Sequence, residues 1–206
     1  ILEPVFLQQM QWPKVTACLE ARTAAETDVE ERKAHLLRLG QIHEDYLEDL
    51  EGAMECYARL FREDIRDEGT WETLARLARV LERYDRLASI YQSALEDVAG
   101  DDESTAKLAF TAGQLHESRT GDLESAAALY LRALRFDPTD HGAFAALERV
   151  YQKQSAWDAL LELYREQAQV AEADADRVAL LRKSARLLEE QLAEPDRAIE
   201  AYRDIL

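Results

Sequence analysis

The chain repeats itself, and a repeat limits the possible folds more than any other feature of a sequence. Gly40-Gln41-Ile42-His43-Glu44 recurs 73 residues later as Gly113-Gln114-Leu115-His116-Glu117. The match continues through Asp49-Leu50-Glu51 with Asp122-Leu123-Glu124, then Tyr57 with Tyr130, Trp71 with Phe144 and Tyr91 with Tyr164. A third copy follows at an offset of 72, aligning Ala126 with Ala198 and Tyr130 with Tyr202. Trp12 aligns with Trp157 across two such periods, 145 residues apart. Units of this kind cannot bury their apolar faces alone, so they stack, and stability becomes a sum of nearest-neighbour interfaces.

Each long repeat divides in two. The recurring aromatic falls at Tyr57, Tyr91, Tyr130, Tyr164 and Tyr202, in steps of 34, 39, 34 and 38 residues, and Leu19 takes the same place 38 residues before Tyr57. A step of that size holds two helices of about 13 to 17 residues plus turns. Leu36, Leu39, Ile42, His43 and Leu47 follow the three-and-four spacing of a helix face, as do Ala53, Met54, Tyr57, Leu60 and Phe61. Seven Gly and four Pro leave long stretches without a breaker.

Aspartates that can cap an orphan N–H predict helix starts at Asp49, Asp67, Asp85, Asp122, Asp140 and Asp158. Pro195 suits a first turn, and Asp137-Pro138 bars continuation of a helix. Helices are predicted near 13–26, 31–47, 50–64, 68–82, 85–99, 102–118, 122–135, 140–153, 157–172, 175–192 and 195–206, after a partial helix near 4–10. The expected fold is all-α, a right-handed α-solenoid of stacked antiparallel helical hairpins. Its expected repeats are 1–30 (incomplete), 31–66, 67–100, 101–139, 140–173 and 174–206, in one solenoid domain.

These residues resemble the tetratricopeptide repeat family. The clearest unit is Gly113, Ala126, Tyr130, Ala133 and Pro138; a second is Trp71, Leu74, Ala75, Leu87 and Tyr91. The resemblance spans nearly the whole chain. It departs from the family pattern at Glu148, which replaces a small residue, at the closing positions, where only Pro138 is proline, and in the long alternate steps. The resemblance implies a concave groove lined by the first helices of the hairpins. The residues that would line it are Gln41, Arg76, Gln114, Arg149 and Arg186, each just after the small-residue position, with Arg79, Lys153 and Arg182 nearby. The alternative is an ordinary solvated face paired with Glu44, Glu117 and Glu189. The clamp for a C-terminal carboxylate found in some family members uses paired asparagines, and this chain has no Asn.

Other constellations read as structure. A zinc-peptidase helix needs a second histidine four residues after the first, and those places after His43 and His116 hold Leu47 and Thr120. Cys18 and Cys56 occupy equivalent places and read as small core residues on separate helices. The acidic clusters lack the spacing of a calcium loop, and neither a phosphate loop nor a nucleophile elbow occurs. No metal, cofactor or catalytic residue is expected.

A net charge of −17 argues against a general nucleic-acid binder, since a phosphate backbone needs a basic surface. No apolar run is long enough to span a membrane. Arg outnumbers Lys twenty to five, the bias expected of a GC-rich bacterial genome. Neither a signal nor a transit peptide is read, and the cytoplasm is the expected compartment, though a start at Ile1 rather than Met gives that little weight. Because Leu206 closes a second helix in mid-pattern, the chain reads as a fragment of a larger protein. The expected function is a protein–protein interaction scaffold that binds an acidic or amphipathic segment, with self-association through exposed end repeats as a further expectation. The alternative is a regulatory or substrate-recruiting segment attached to an enzyme outside these residues.

Overall fold

In a computed structural model that describes residues 3–98 and 100–203, the chain is all-α, a solenoid of stacked antiparallel helical hairpins. It forms two compact units, Ile1–Ala99 and Gly100–Leu206. Unit 1 holds α1 (Glu3–Gln8), α2 (Trp12–Ala25), α3 (Val29–Asp45), α4 (Leu50–Glu63), α5 (Glu68–Leu81) and α6 (Tyr84–Glu96). Unit 2 holds α7 (Glu103–Leu115), continued by a π turn (His116–Thr120), then α8 (Leu123–Phe136), α9 (His141–Gln154), α10 (Trp157–Val170), α11 (Asp174–Glu190) and α12 (Pro195–Arg203). The predicted helices match these within a few residues; the predicted ends at Ala99 and Leu206 lie outside the described residues.

The uneven step has a simple cause. The hairpins α3–α4 and α11–α12 open with 17-residue helices. The hairpins α5–α6 and α9–α10 open with 14-residue helices, about one turn shorter. In unit 2 the π turn lengthens α7 in the same way.

Four of the six predicted caps hold. The side chains of Asp49, Asp67, Asp122 and Asp140 accept backbone N–H bonds at the starts of α4, α5, α8 and α9. Asp85 and Asp158 do not cap: they lie inside the first turns of α6 and α10, after Tyr84 and Trp157. There the N-cap residues Arg83 and Ala156 make no side-chain cap bond, and the short turn leaves no slot for an aspartate ahead of the ring. The acids still complement the positive helix end. Asp28 and Asp102 cap α3 and α7 as well.

The turns share an unusual backbone. Met10, Glu82 and Ser155 sit at equivalent places between hairpin helices, all in the left-handed region, with φ of 53°, 56° and 54°. Glu48, Gly121 and Ala193 form the second equivalent set, with φ of 52°, 75° and 53°. Only one of the six is glycine.

The repeated aromatic packs the hairpins. Leu19, Tyr57, Tyr91, Tyr130 and Tyr164 are all buried. Gly40 and Gly113 make room for the rings: a Cβ on Gly40 would meet Tyr57 Cζ at 2.7 Å, and one on Gly113 would meet Tyr130 Cδ1 at 2.8 Å. In unit 1, Phe61 packs against Trp71 and Tyr91 with ring centroids 6.3 and 5.4 Å apart, within the range of favourable aromatic pairs. The Trp71 indole donates to Ile65 O at 2.6 Å, and the Tyr91 hydroxyl donates to Trp71 O at 3.1 Å. In unit 2, Phe110 lies against Tyr130 and Phe144 against Tyr164.

A candidate partner groove

Equivalent first helices bring a carboxylate of one hairpin to a cation of the next. In unit 1, Arg76 on α5 reaches Glu44 on α3 through two bonds of 2.7 and 2.9 Å. In unit 2, Arg149 on α9 holds Glu117 through Nε and Nη2, both at 2.7 Å. Lys153 adds a third bond at 2.7 Å, and the Tyr130 hydroxyl donates a fourth at 3.1 Å. The Glu117 side chain is 9% exposed while Arg149 is 52% exposed, so the acid is sunk beneath its cations. Arg149 above all, with Lys153 and Tyr130, holds the Glu117 carboxyl down to about 2 despite its burial. The Tyr130 hydroxyl is pushed above its ordinary value, first by burial and then by Glu117.

One turn of the repeat further along unit 2, Glu148 plays a similar part. Its Oε1 accepts from the Tyr164 hydroxyl at 2.6 Å and from Lys183 at 2.7 Å. Lys183 also lies 5.7 Å from the Phe144 ring centroid and 5.3 Å from that of Tyr164, in cation–π range. This explains the departure at position 148: a long acid there bonds the tyrosine hydroxyl, where Gly40 and Gly113 instead admit the ring.

Two cavities follow from these contacts. One, of about 430 Å³, is lined by Gln114, Glu117, Ser118, Tyr130, Arg149 and Lys153. The other, of about 480 Å³, includes Glu148, Trp157, Tyr164, Lys183, Arg186 and Gln191. Of the expected groove residues, Gln41, Arg76 and Arg79 belong to unit 1, and Gln114, Arg149, Arg182 and Arg186 to unit 2. Arg76 and Arg149 are tied to glutamates. Gln41, Arg79, Arg182 and Arg186 are exposed, and among the described residues no ion pair holds the three arginines. Arg182 lines neither cavity. Lys183 and Glu148 were missed as site residues; the only signal for them was the acid standing where the repeat has a small residue.

Two histidines link the helices within a hairpin. His43 Nδ1 lies 2.9 Å from Asp49 Oδ2, so the end of α3 is linked to the cap of α4. The buried His116 faces Thr120 Oγ1 at 3.2 Å and Asp122 Oδ2 at 4.0 Å. Among the described residues, no cluster of three His, Cys, Asp or Glu could hold a metal ion, and no helix is long and apolar enough to cross a membrane. Both cysteines are free thiols; Cys56 is buried, but Cys18 is only half-buried, short of the core position expected for it. Cys56 packs with Val15, Leu19, Leu39 and Ile42.

Residues 143–178, which run from α9 into α11, match the tetratricopeptide repeat model. With the internal repeat and the stacked hairpins, that match makes the chain a TPR-like repeat protein. No curated protein matches it. Among solved structures it is similar to MamA (14% identity, TM-score 0.44), over 84% of this chain and 90% of that one. It is similar also to YrrB, described as a TPR protein with an unusual peptide-binding site (13% identity, TM-score 0.43), over 83% and 84% of the two chains. A tetratricopeptide repeat protein from Parabacteroides merdae ATCC 43184 matches at 15% identity and TM-score 0.40, over 98% of this chain and 75% of that one.

Proposed function

We propose that the chain is a protein-interaction scaffold rather than a catalyst, and that the groove of unit 2 takes an acidic or amphipathic segment of a partner. One observation carries the reading: two cavities of unit 2 are together lined by four cations, Arg149, Lys153, Lys183 and Arg186, against three acids, Glu117, Glu148 and Glu190, an excess of base in an acidic chain. Glu117 and Glu148 are met by Arg149, Lys153 and Lys183, and among the described residues no ion pair holds Arg186. The chain as a whole carries −17. Such a molecule repels most acidic surfaces at long range, yet offers forked and point-charge donors to a carboxylate that enters the groove.

Unit 1 presents a weaker version. Glu44 pairs with Arg76, and Val80 stands where unit 2 has Lys153. Gln41 and Arg79 are its remaining groove residues. The repeat boundaries 31–66, 67–100, 101–139, 140–173 and 174–206 are those that this reading assigns to successive hairpins.

The test uses fluorescein-labelled amphipathic peptides, one rich in Glu and Leu and one in Lys and Leu, followed by anisotropy at low and physiological salt. Arg149 is left intact because Glu117 depends on it. Lys153→Gln/Arg186→Glu, checked for folding by circular dichroism, should weaken the acidic peptide by about tenfold at low salt, a change of about 1.4 kcal/mol. Equal affinity for wild type and variant, or a preference for the basic peptide, would sink the groove.

A further inference from the structure

Unit 2 holds a third cavity, of about 570 Å³, larger than either of those above. Its walls are the turn before α9, the start of α9, the end of α10 and the start of α11, all internal to the chain. Pro138, Phe144, Val170, Ala171, Ala179 and Leu180 give it an apolar lining, and Val170 at its rim is 41% exposed. The volume lies within the range of about 300–1,000 Å³ usual for ligand pockets.

The repeat explains the opening. One step earlier in unit 2, the ring of Phe110 approaches Gly142: a Cβ on that glycine would meet Phe110 Cζ at 3.7 Å. Counting from the small-residue positions Gly113, Glu148 and Ala185, the places of Phe110 and Gly142 pass to Ala145 and Ala179 in the next step. An alanine thus stands where the ring was, and the furrow between α9 and α11 is not filled from that place.

The charges at the two ends differ. Glu172 and Asp176 line the loop end. Lys183 stands seven residues past Asp176 on α11, about two turns along the helix, and lines both this cavity and the one that holds Arg186. Its side chain is 46% exposed, and its bond to Glu148 uses one of the three N–H donors of an ammonium group. The Phe144 and Tyr164 rings beneath it hold the ammonium at the boundary.

We infer that this cavity is the apolar anchor point of the groove proposed above, and that the partner segment carries a large apolar side chain one helical turn from an acid. The apolar side chain enters between α9 and α11, and the acid lies on Lys183 and Arg186. The inference rests on the groove reading and adds a register to it. An acid at the loop end would meet Glu172 and Asp176, so the two anchors cannot exchange places.

The probes are three fluorescein-labelled, helix-stabilised peptides. One carries a Trp one turn from a pair of Glu, the second has Ala for that Trp, and the third has Gln for both Glu. Anisotropy is measured at low salt against the full 206-residue chain. The Trp peptide should bind about tenfold more tightly than the Ala peptide, the scale of burying one large apolar side chain. Ala179→Phe fills the cavity from an exposed helix position, and Val170→Gln makes its rim polar. Each, checked for folding by circular dichroism, should remove most of that advantage and leave the Ala peptide unchanged. Lys153→Gln/Arg186→Glu should weaken both acidic peptides alike. Equal binding of the Trp and Ala peptides, with both weakened by that double variant, would keep the groove and overturn the anchor. A Trp advantage that survives Ala179→Phe and Val170→Gln would overturn it too, as would a Gln peptide that binds as tightly as the Trp peptide. No binding of either acidic peptide would remove groove and anchor together.

Discussion

Gly113 and Tyr130 should invert the sign of a common stabilising substitution. A glycine inside a helix costs about 1 kcal/mol relative to alanine, so Gly113→Ala should help on propensity alone. Yet the added methyl would stand 2.8 Å from both Cδ1 and Cε1 of Tyr130. The ring is fully buried and its hydroxyl is held by Glu117, so it cannot swing aside. Overpacking of that kind costs about 1–3 kcal/mol, which leaves Gly113→Ala neutral to destabilising by about 2 kcal/mol. Tyr130→Ala alone should cost about 3–5 kcal/mol by opening a cavity. In the Tyr130→Ala background the clash is gone, and Gly113→Ala should then stabilise by about 1 kcal/mol. The predicted coupling is therefore about 1–3 kcal/mol. Urea unfolding followed by far-ultraviolet circular dichroism measures all four corners of the cycle. If Gly113→Ala has the same sign and size with and without the ring, the close approach does not govern this position.

The Glu117 carboxyl titrates at about 2, below its ordinary 4.5, so its contribution to stability is present above the ordinary value and lost as pH falls toward 2. Melting temperatures of wild type and Glu117→Gln should accordingly converge between about pH 4.5 and pH 2. Burial holds the His116 imidazole below its ordinary 6.5. It too should destabilise the fold as pH drops beneath that value, and His116→Gln should remove that portion of the pH dependence, read by the same melts. Burial raises the Cys56 thiol to about 11, so with an aromatic disulfide reagent it should react much more slowly than Cys18 until urea unfolds the chain. Chelator should not shift the melting temperature; a drop of several degrees on chelation would reveal a metal that the side-chain arrangement does not suggest.

The repeat carried most of the architecture because it reports packing rather than local propensity. Tyr57, Tyr91, Tyr130 and Tyr164 are each buried on the second helix of a hairpin, and their spacing marks those four helices. What failed was finer. An aspartate near a helix start reads alike in sequence whether it caps, as Asp122 does, or sits two places past the cap, as Asp85 does behind Tyr84. The π turn at 116–120 gave no sign, because it depends on how the backbone reaches Gly121 and not on residue type. The ion pairs between first helices were half legible. Arg76 and Arg149 were found by alignment, and their glutamate partners were named as the alternative reading, but which arginines remain unpaired depends on distances alone. Glu148 was marked as a defect of the repeat, and its bond to Tyr164 makes it a substitute for one.

The six hairpin turns leave an unspent reserve. Five of them place a residue with a side chain, namely Met10, Glu48, Glu82, Ser155 or Ala193, in a backbone region that disfavours L-residues by about 1–2 kcal/mol. Glycine relieves that cost while giving back about 0.5–1 kcal/mol in unfolded-chain freedom. Each site thus offers a modest gain, and because the five lie in different turns their gains should add nearly independently. A repeat protein that tolerates this at almost every corner has evidently been held above a threshold, not driven to an optimum. An engineer could draw on the same corners to offset destabilising changes made in a binding face, without touching any residue that packs one hairpin on the next.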